Sequence, residues 1–275
     1  MLQQYNNNMT ISGLCLPVAG LGTVKFGRNQ GVKYPNAFAL PSDNTLKNLL
    51  AQAYDLGIRL LDTAPAYGSS EARLGQLLPC HNDWLISTKV GEQFHNGQSQ
   101  FDFSEHAIRT SIRRSLKRLQ RQHVDIVLIH SDGNDEAILR DTAAVETLQQ
   151  LKADGLIRAI GLSGKTCSGG IAALRDYDLD IAMITHNPIY QAEQAVITTA
   201  ARLNKAILVK KAFASGHLQQ LGDNPIQRTM DIIFATPAVS LSVILGTINP
   251  IHLQQNAAAI YQAISQRQTS TETEQ

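Results

Sequence analysis

Eight short apolar runs recur along the chain, separated by stretches with helical periodicity. They lie at 18–21, 59–62, 85–89, 125–130, 157–162, 181–185, 207–210 and 243–246. The runs VDIVLIH and KAILVK are almost continuously apolar. A strand has that composition when helices cover one side and a barrel interior lies on the other. Between the runs, Leu46, Leu49, Leu50 and Ala53 follow the i, i+3, i+4, i+7 spacing of a helix face. Ser42 or Asp43 can cap its start and Gly57 its end. Ile108, Ile112, Leu116 and Leu119 form a second stripe, with Arg109, Arg113, Arg114 and Lys117 facing outward and Ser104–Glu105 at the N-terminus. A third helix is predicted over 134–154, ending at Gly155, and others over 191–204 and 250–264. Strands alternating with helices imply a parallel sheet, and eight of them favour closure into one (β/α)8 TIM barrel over residues 1–275. Residues 23–42 form a loop of about 20 residues, long enough to suggest a functional role. The polar segment 266–275 is expected to be a disordered tail.

Bulk properties narrow the function classes. The 275 residues suit one barrel domain, and 43% hydrophobic residues suffice for a sizeable core. A net charge of +1 offers no strong field for nucleic acid or anionic membrane. The basic stretch RRSLKRLQR reads as a solvated helix face, without the interleaved aromatics of a nucleic-acid binder. No apolar run reaches the roughly 18 residues of a membrane span, and the Gln- and Asn-rich start does not resemble a secretory signal. Cys15, Cys80 and Cys167 are widely spaced without a CxxC pair, which fits reduced thiols in the cytoplasm. His81, His95, His106 and His123 lack ligand spacing, so no metal site is expected.

Four polar residues stand at the C-terminal ends of predicted strands or just beyond, where barrels build active sites. Asp62 ends RLLD, Tyr67 follows in TAPAYG, Lys89 ends LISTK and His130 ends DIVLIH. Each alone has an ordinary structural explanation: a helix cap, a packed ring, a snorkelling lysine, a satisfied histidine. Together they suit carbonyl reduction, which needs hydride on carbon and a proton on oxygen. Lys89 would pull the phenol of Tyr67, of reference pKa about 10, towards neutrality. Asp62 would hold Lys89 charged and oriented. His130 would hydrogen-bond the substrate oxygen and stabilise developing alkoxide.

The run GIRLLDTAPAYGSSEARLG resembles the signature of the aldo-keto reductase superfamily, and the likeness extends from GLGTV to HLQQN. That resemblance implies a catalytic tetrad of Asp62, Tyr67, Lys89 and His130, with Tyr67 as general acid, and NADPH as cofactor with NADH as an alternative. It places Thr23, Asp62 and Ser163 near the nicotinamide. Asn187 stands where Gln commonly holds the carboxamide, and Gly164 where Asn is usual. In LVKKAFASG, Lys211 stands where the family has the aromatic that stacks on nicotinamide, so either Phe213 takes that task or the ring is held without a stack. One of Lys210 and Lys211 can meet cofactor phosphate or a substrate carboxylate, the ordinary alternative being a snorkelling rim, and Ser215 and Gly216 complete that segment. In GTINPIHLQQN, Gly246 and Thr247 open the loop for the adenosine 2′-phosphate. His252 replaces a common Arg there and Gly246 a common Lys, while Gln255 and Asn256 match adenine contacts. A Rossmann fingerprint is absent, since Gly20–Leu21–Gly22 lacks its third glycine and partner acid.

The resemblance also implies a monomer acting on a small carbonyl substrate, without nucleic-acid or membrane partners. The short polar C-terminus suggests an open pocket with broad, modest activity. Two alternatives stay open: a sugar or alcohol dehydrogenase running in reverse, and a cofactor-binding sensor with little turnover, as in potassium-channel β subunits.

Overall fold

A computed structural model describes residue 2 and residues 6–78, 81–236 and 240–273 of the chain. Its strands are β1 (Asn6–Ile11), β2 (Leu14–Pro17), β3 (Ala19–Gly22), β4 (Leu60–Asp62), β5 (Leu85–Val90), β6 (Glu92–His95), β7 (Gln98–Phe101), β8 (Val124–His130), β9 (Ile157–Ser163), β10 (Ile181–Thr185), β11 (Ala206–Lys210) and β12 (Ser240–Leu245). Its helices are α1 (Val24–Gly27), α2 (Asp43–Asp55), α3 (Ser70–Leu77), α4 (Glu105–Leu119), α5 (Asp135–Asp141), α6 (Ala144–Ala153), α7 (Cys167–Arg175), α8 (Gln194–Leu203), α9 (Pro225–Phe234) and α10 (Pro250–Thr273).

Eight parallel strands close into a barrel in the order β3-β4-β5-β8-β9-β10-β11-β12, with β12 pairing back to β3. All eight predicted runs become these strands, so the chain folds as the (β/α)8 barrel expected. Alternation along each strand divides the apolar residues between two cores. Leu60, Ile126, Leu128, Ala159, Ile181, Met183, Ala206 and Leu208 fill the interior. Leu61, Val127, Ile129, Ile160, Ile207 and Val209 face the helices. The first helix is capped by Ser42, whose side chain accepts from the Thr45 N–H. Ser104 caps α4 in the same way, accepting from Ala107.

The structure departs from expectation in five places. The single helix predicted over 134–154 is two, α5 and α6, because Thr142 takes an extended backbone between them. The predicted tail continues α10 as far as Thr273, and residues 274–275 lie outside the described residues. The long loop contains the one-turn helix α1. Two hairpins were not foreseen. One, β1–β2, turns at Ser12–Gly13, both with positive φ, and packs Ile11, Leu14 and Leu16 against the interior cluster. It covers the N-terminal end of the barrel. The other, β6–β7, rises directly from the end of β5.

Candidate active site

The inward phase of Leu60, Leu85, Leu128, Ala159, Met183 and Leu208 carries later inward residues to the open end. These are Asp62, Lys89, His130, Ser163, Thr185 and Lys210. Six strands therefore bring polar side chains to the open end of the barrel.

Three catalytic candidates interlock with the fourth, Tyr67. Lys89 is 1% exposed, and its Nζ donates to Asp62 Oδ1 at 2.7 Å, to Asp62 Oδ2 at 2.8 Å and to the Thr63 carbonyl at 2.9 Å. Ser87 Oγ donates to Asp62 Oδ1 at 3.0 Å, fixing the carboxylate from its other side. A 3₁₀ turn over Pro65–Tyr67 sets the Tyr67 ring 4.9 Å, centroid to Nζ, from Lys89. The His130 ring meets it edge-on, with centroids 6.3 Å apart. Burial pushes Lys89 down, but Asp62 and Tyr67 outweigh it and hold the lysine above its ordinary range. For Tyr67 the balance differs from the sequence expectation. Burial raises the phenol, Lys89 pulls it down, and Asp62 pushes it up again, so the net direction is upward. The carboxylate that holds Lys89 also blunts its pull, and Tyr67 keeps its proton.

His130 has a partner that sequence reading missed. Glu92, the first residue of the β6–β7 hairpin, sets its Oε2 2.7 Å from His130 Nδ1, off the line of a full hydrogen bond. Ser99 Oγ donates to Glu92 Oε1 at 2.5 Å, and Arg28 Nη1 lies 3.8 Å from that oxygen. Burial works to raise the carboxyl, yet His130, Ser99 and Arg28 draw it down to about 2. Burial lowers His130, and Glu92 opposes that shift.

The residues matched to cofactor contacts fall into three groups. Ser163, Asn187, Lys210, Lys211, Ser215 and Gly216 gather at the ends of β9, β10 and β11, beside a cavity of about 470 Å³ lined in part by Lys33, Lys165, Lys210, Lys211 and Glu193. Gly246, Thr247, His252, Gln255 and Asn256 form the second group at the start of α10; His252 and Gln255 are exposed there, and Asn256 is 5% exposed. Thr23 stands apart, fully buried, its hydroxyl donating to the Asp62 carbonyl at 2.9 Å and accepting from Ser70. The Asn187 amide is already engaged, donating to the Lys211 carbonyl and accepting from the Ile189 N–H. Phe213 packs against the main core, and the aromatic ring lining the cavity is Tyr190. Asn249, also missed, accepts from the Ile251 N–H and caps α10.

The donor set fits a dinucleotide. Four lysines face one carboxylate in the cavity, a balance suited to a diphosphate. The long loop crosses the mouth beside it: a Cβ on Gly246 would lie 3.4 Å from Tyr34 Oη, and one on Gly216 3.3 Å from Pro35 Cδ.

Comparison with known proteins places this barrel in a family. The model of the aldo/keto reductase family matches residues 19–232, well over half of the chain. The chain is an aldo-keto reductase. It is 29% identical over 236 residues to D-threo-aldose 1-dehydrogenase of a Pseudomonas species, covering 76% of this chain and 69% of that one. L-galactose dehydrogenase of Arabidopsis thaliana is 33% identical over 161 residues, 56% of this chain and 46% of the other. A solved structure from Pseudomonas aeruginosa assigned to the aldo-keto reductases is 49% identical, with a TM-score of 0.86 and 96% and 97% of the two chains covered. This aldo-keto reductase is accordingly an oxidoreductase. Among its described residues no helix is long and apolar enough to cross a membrane.

Proposed function

We propose that the protein reduces aldehydes or ketones to alcohols with NADPH, as a monomer in the cytoplasm, with Tyr67 as general acid assisted by Lys89, Asp62 and His130. The observation that carries this reading is the Asp62–Lys89 ion pair beside the Tyr67 ring, with His130 at the edge of that ring. A reduced nicotinamide held beside this quartet would supply the hydride. The substrate oxygen would lie between the Tyr67 hydroxyl and the His130 imidazole. Tyr67 gives its proton as charge develops on that oxygen, and the nearby Lys89 cation stabilises the phenolate left behind. Asp62 keeps Lys89 charged and aimed, so removing it would leave an unpaired buried cation. Lys33, Lys165 and Lys211 are suited to the cofactor diphosphate, and the start of α10 to the 2′-phosphate. With His252 where Arg is common and Gly246 where Lys is common, NADH should also be accepted.

Sugar dehydrogenases among the relatives favour a polyhydroxylated substrate and the reverse direction as a second reading. The deciding experiment follows NADPH absorbance with an activated aromatic aldehyde, in parallel with NADP⁺ and an aldose. Tyr67→Phe should lower turnover by roughly 10²–10⁴-fold in both directions while nucleotide binding persists. Unchanged turnover in Tyr67→Phe would overturn the assignment, and tight binding without turnover in the native chain would favour a sensor.

A further inference from the structure

Two lysines point inward at the barrel mouth, and their surroundings differ in kind. Lys89 is clamped by both oxygens of Asp62 and is a fixed cation. Lys210 ends β11 in the same inward phase as Ala206 and Leu208, and it lines the cavity. Its Nζ donates to Ser163 Oγ at 3.0 Å and to the Gly164 carbonyl at 2.7 Å, both neutral acceptors. Burial first, and then the neighbouring Lys211 charge, draw Lys210 down to about 7 against the opposing pull of Glu193. A neutral lysine amine carries two N–H groups and one lone pair. Ser163 and Gly164 account for both N–H groups, which leaves the lone pair free at the cavity wall. A desolvated lysine beside a second cation is the arrangement that makes an amine nucleophilic near neutral pH.

We infer that Lys210 is a second reactive group of the site, an amine that captures aldehydes as a protonated imine and selects those bearing a carboxylate or phosphate. The selection rests on Lys33, Lys165 and Lys211, which line the same cavity. The Nζ lone pair forms an N–C bond to the carbonyl carbon, and proton transfer from nitrogen to oxygen gives the carbinolamine. The C–O bond then breaks, a proton joins the departing hydroxyl, and water leaves behind the protonated imine. Solvent reaching the open cavity supplies that proton, and Glu193, the carboxylate among the lining residues, balances the positive charge left on the imine. Glu193 is 2% exposed, accepts from the Thr185 N–H, and is raised above its ordinary range chiefly by burial. No nucleotide enters this sequence, so the capture stands independently of the reduction.

The test treats the full chain at pH 7, without nucleotide, with glyoxylate and sodium cyanoborohydride, which reduces the imine to a stable carboxymethyl-lysine. Intact mass and peptide mapping should find a single modified residue, Lys210. Propionaldehyde at equal concentration should modify it at least about tenfold less, because it lacks the anionic tail. Lys210→Arg keeps the charge but has no nucleophilic amine, and Lys210→Met removes both; each should abolish the modification while thermal melts verify folding. If Lys210→Met fails to fold, the arginine variant and the map of the native chain still decide. Tyr67→Phe should form the adduct normally, which separates failure of the reductase reading from failure of this one. Modification scattered over surface lysines, or undiminished in Lys210→Arg, would overturn the proposal.

Discussion

Glu92 decides which form of His130 the substrate meets. A carboxylate 2.7 Å from Nδ1 favours a proton on that nitrogen. Neutral His130 then turns a lone pair at Nε2 towards the substrate, and only the imidazolium presents an Nε2–H to the carbonyl oxygen. Reduction should therefore decline as pH rises through the His130 pKa. Glu92 holds that pKa up against burial, so in Glu92→Gln the decline should begin at lower pH. A pH profile of kcat/KM that coincides for the two proteins would refute this coupling. Stability provides a second reading of the same residue. With its folded pKa drawn to about 2, below the unfolded value of about 4.3, Glu92 contributes stability that is present above the unfolded value and is lost as pH falls towards 2. Urea midpoints of Glu92→Gln should lose part of that acid dependence. At Tyr67 the Phe variant should lower kcat by roughly 10²–10⁴-fold, with an unchanged melting temperature. The quartet was legible because strand ends of a barrel converge; Glu92 was not, because nothing in the segment VGEQFH announces a hairpin that folds back on the end of a strand distant in sequence.

Elements were legible where periodicity is their cause. The near-continuous apolar runs gave the eight barrel strands, and Ser42 and Ser104 marked two helix starts by a capping preference that acts locally. What escaped depends on partners remote in sequence. The hairpin β1–β2 owes its place to Ile11, Leu14 and Leu16 completing an interior made by other strands. The break between α5 and α6 arises at Thr142, whose hydroxyl turns back to the Ile138 carbonyl, a choice that the apolar pattern does not express. Strand packing also sets one severe constraint. A Cβ on Gly161 of β9 would stand 2.2 Å from the Ile181 carbonyl oxygen of β10, inside the closed sheet. Backbone cannot retreat there without opening the barrel, so Gly161→Ala should destabilise by about 3 kcal/mol or more. Ser104→Ala, by contrast, should cost about 1 kcal/mol. Chemical denaturation of the two variants checks the contrast, and equal losses would show that β9 and β10 can adjust.

At the scale of the molecule, the covered end and the open end divide stability from chemistry. The hairpin covers one end with apolar side chains, while the other gathers six inward polar residues and the cationic cavity beside them. The loop over 28–42 crosses this mouth. Arg28 stacks on Phe94 at 3.4 Å and donates to the Ala66 carbonyl, and Lys25 lies 3.9 Å from the centre of the Tyr34 ring. Tyr34 is half-buried there, and that burial pushes its phenol up to about 12. Under the proposed function the nucleotide would lie between this loop and the start of α10, and its preference would turn on charge at α10. His252 is exposed on the first turn, where Arg is common in the family, and Gly246 brings no side chain to the loop. Only the helix N-terminus and an imidazole therefore face a 2′-phosphate, and the native chain should favour NADPH over NADH by a small factor. Introducing a guanidinium with His252→Arg should widen that preference by about tenfold, since a charge-assisted hydrogen bond to phosphate contributes on the order of 1.4 kcal/mol or more. Thermal shifts at saturating and subsaturating nucleotide measure this without turnover, because binding to the folded state alone raises the melting temperature by mass action. An unchanged NADPH-to-NADH ratio in His252→Arg would mean that the 2′-phosphate does not sit at the start of α10, and that the lysines of the cavity carry the whole anionic load of the cofactor.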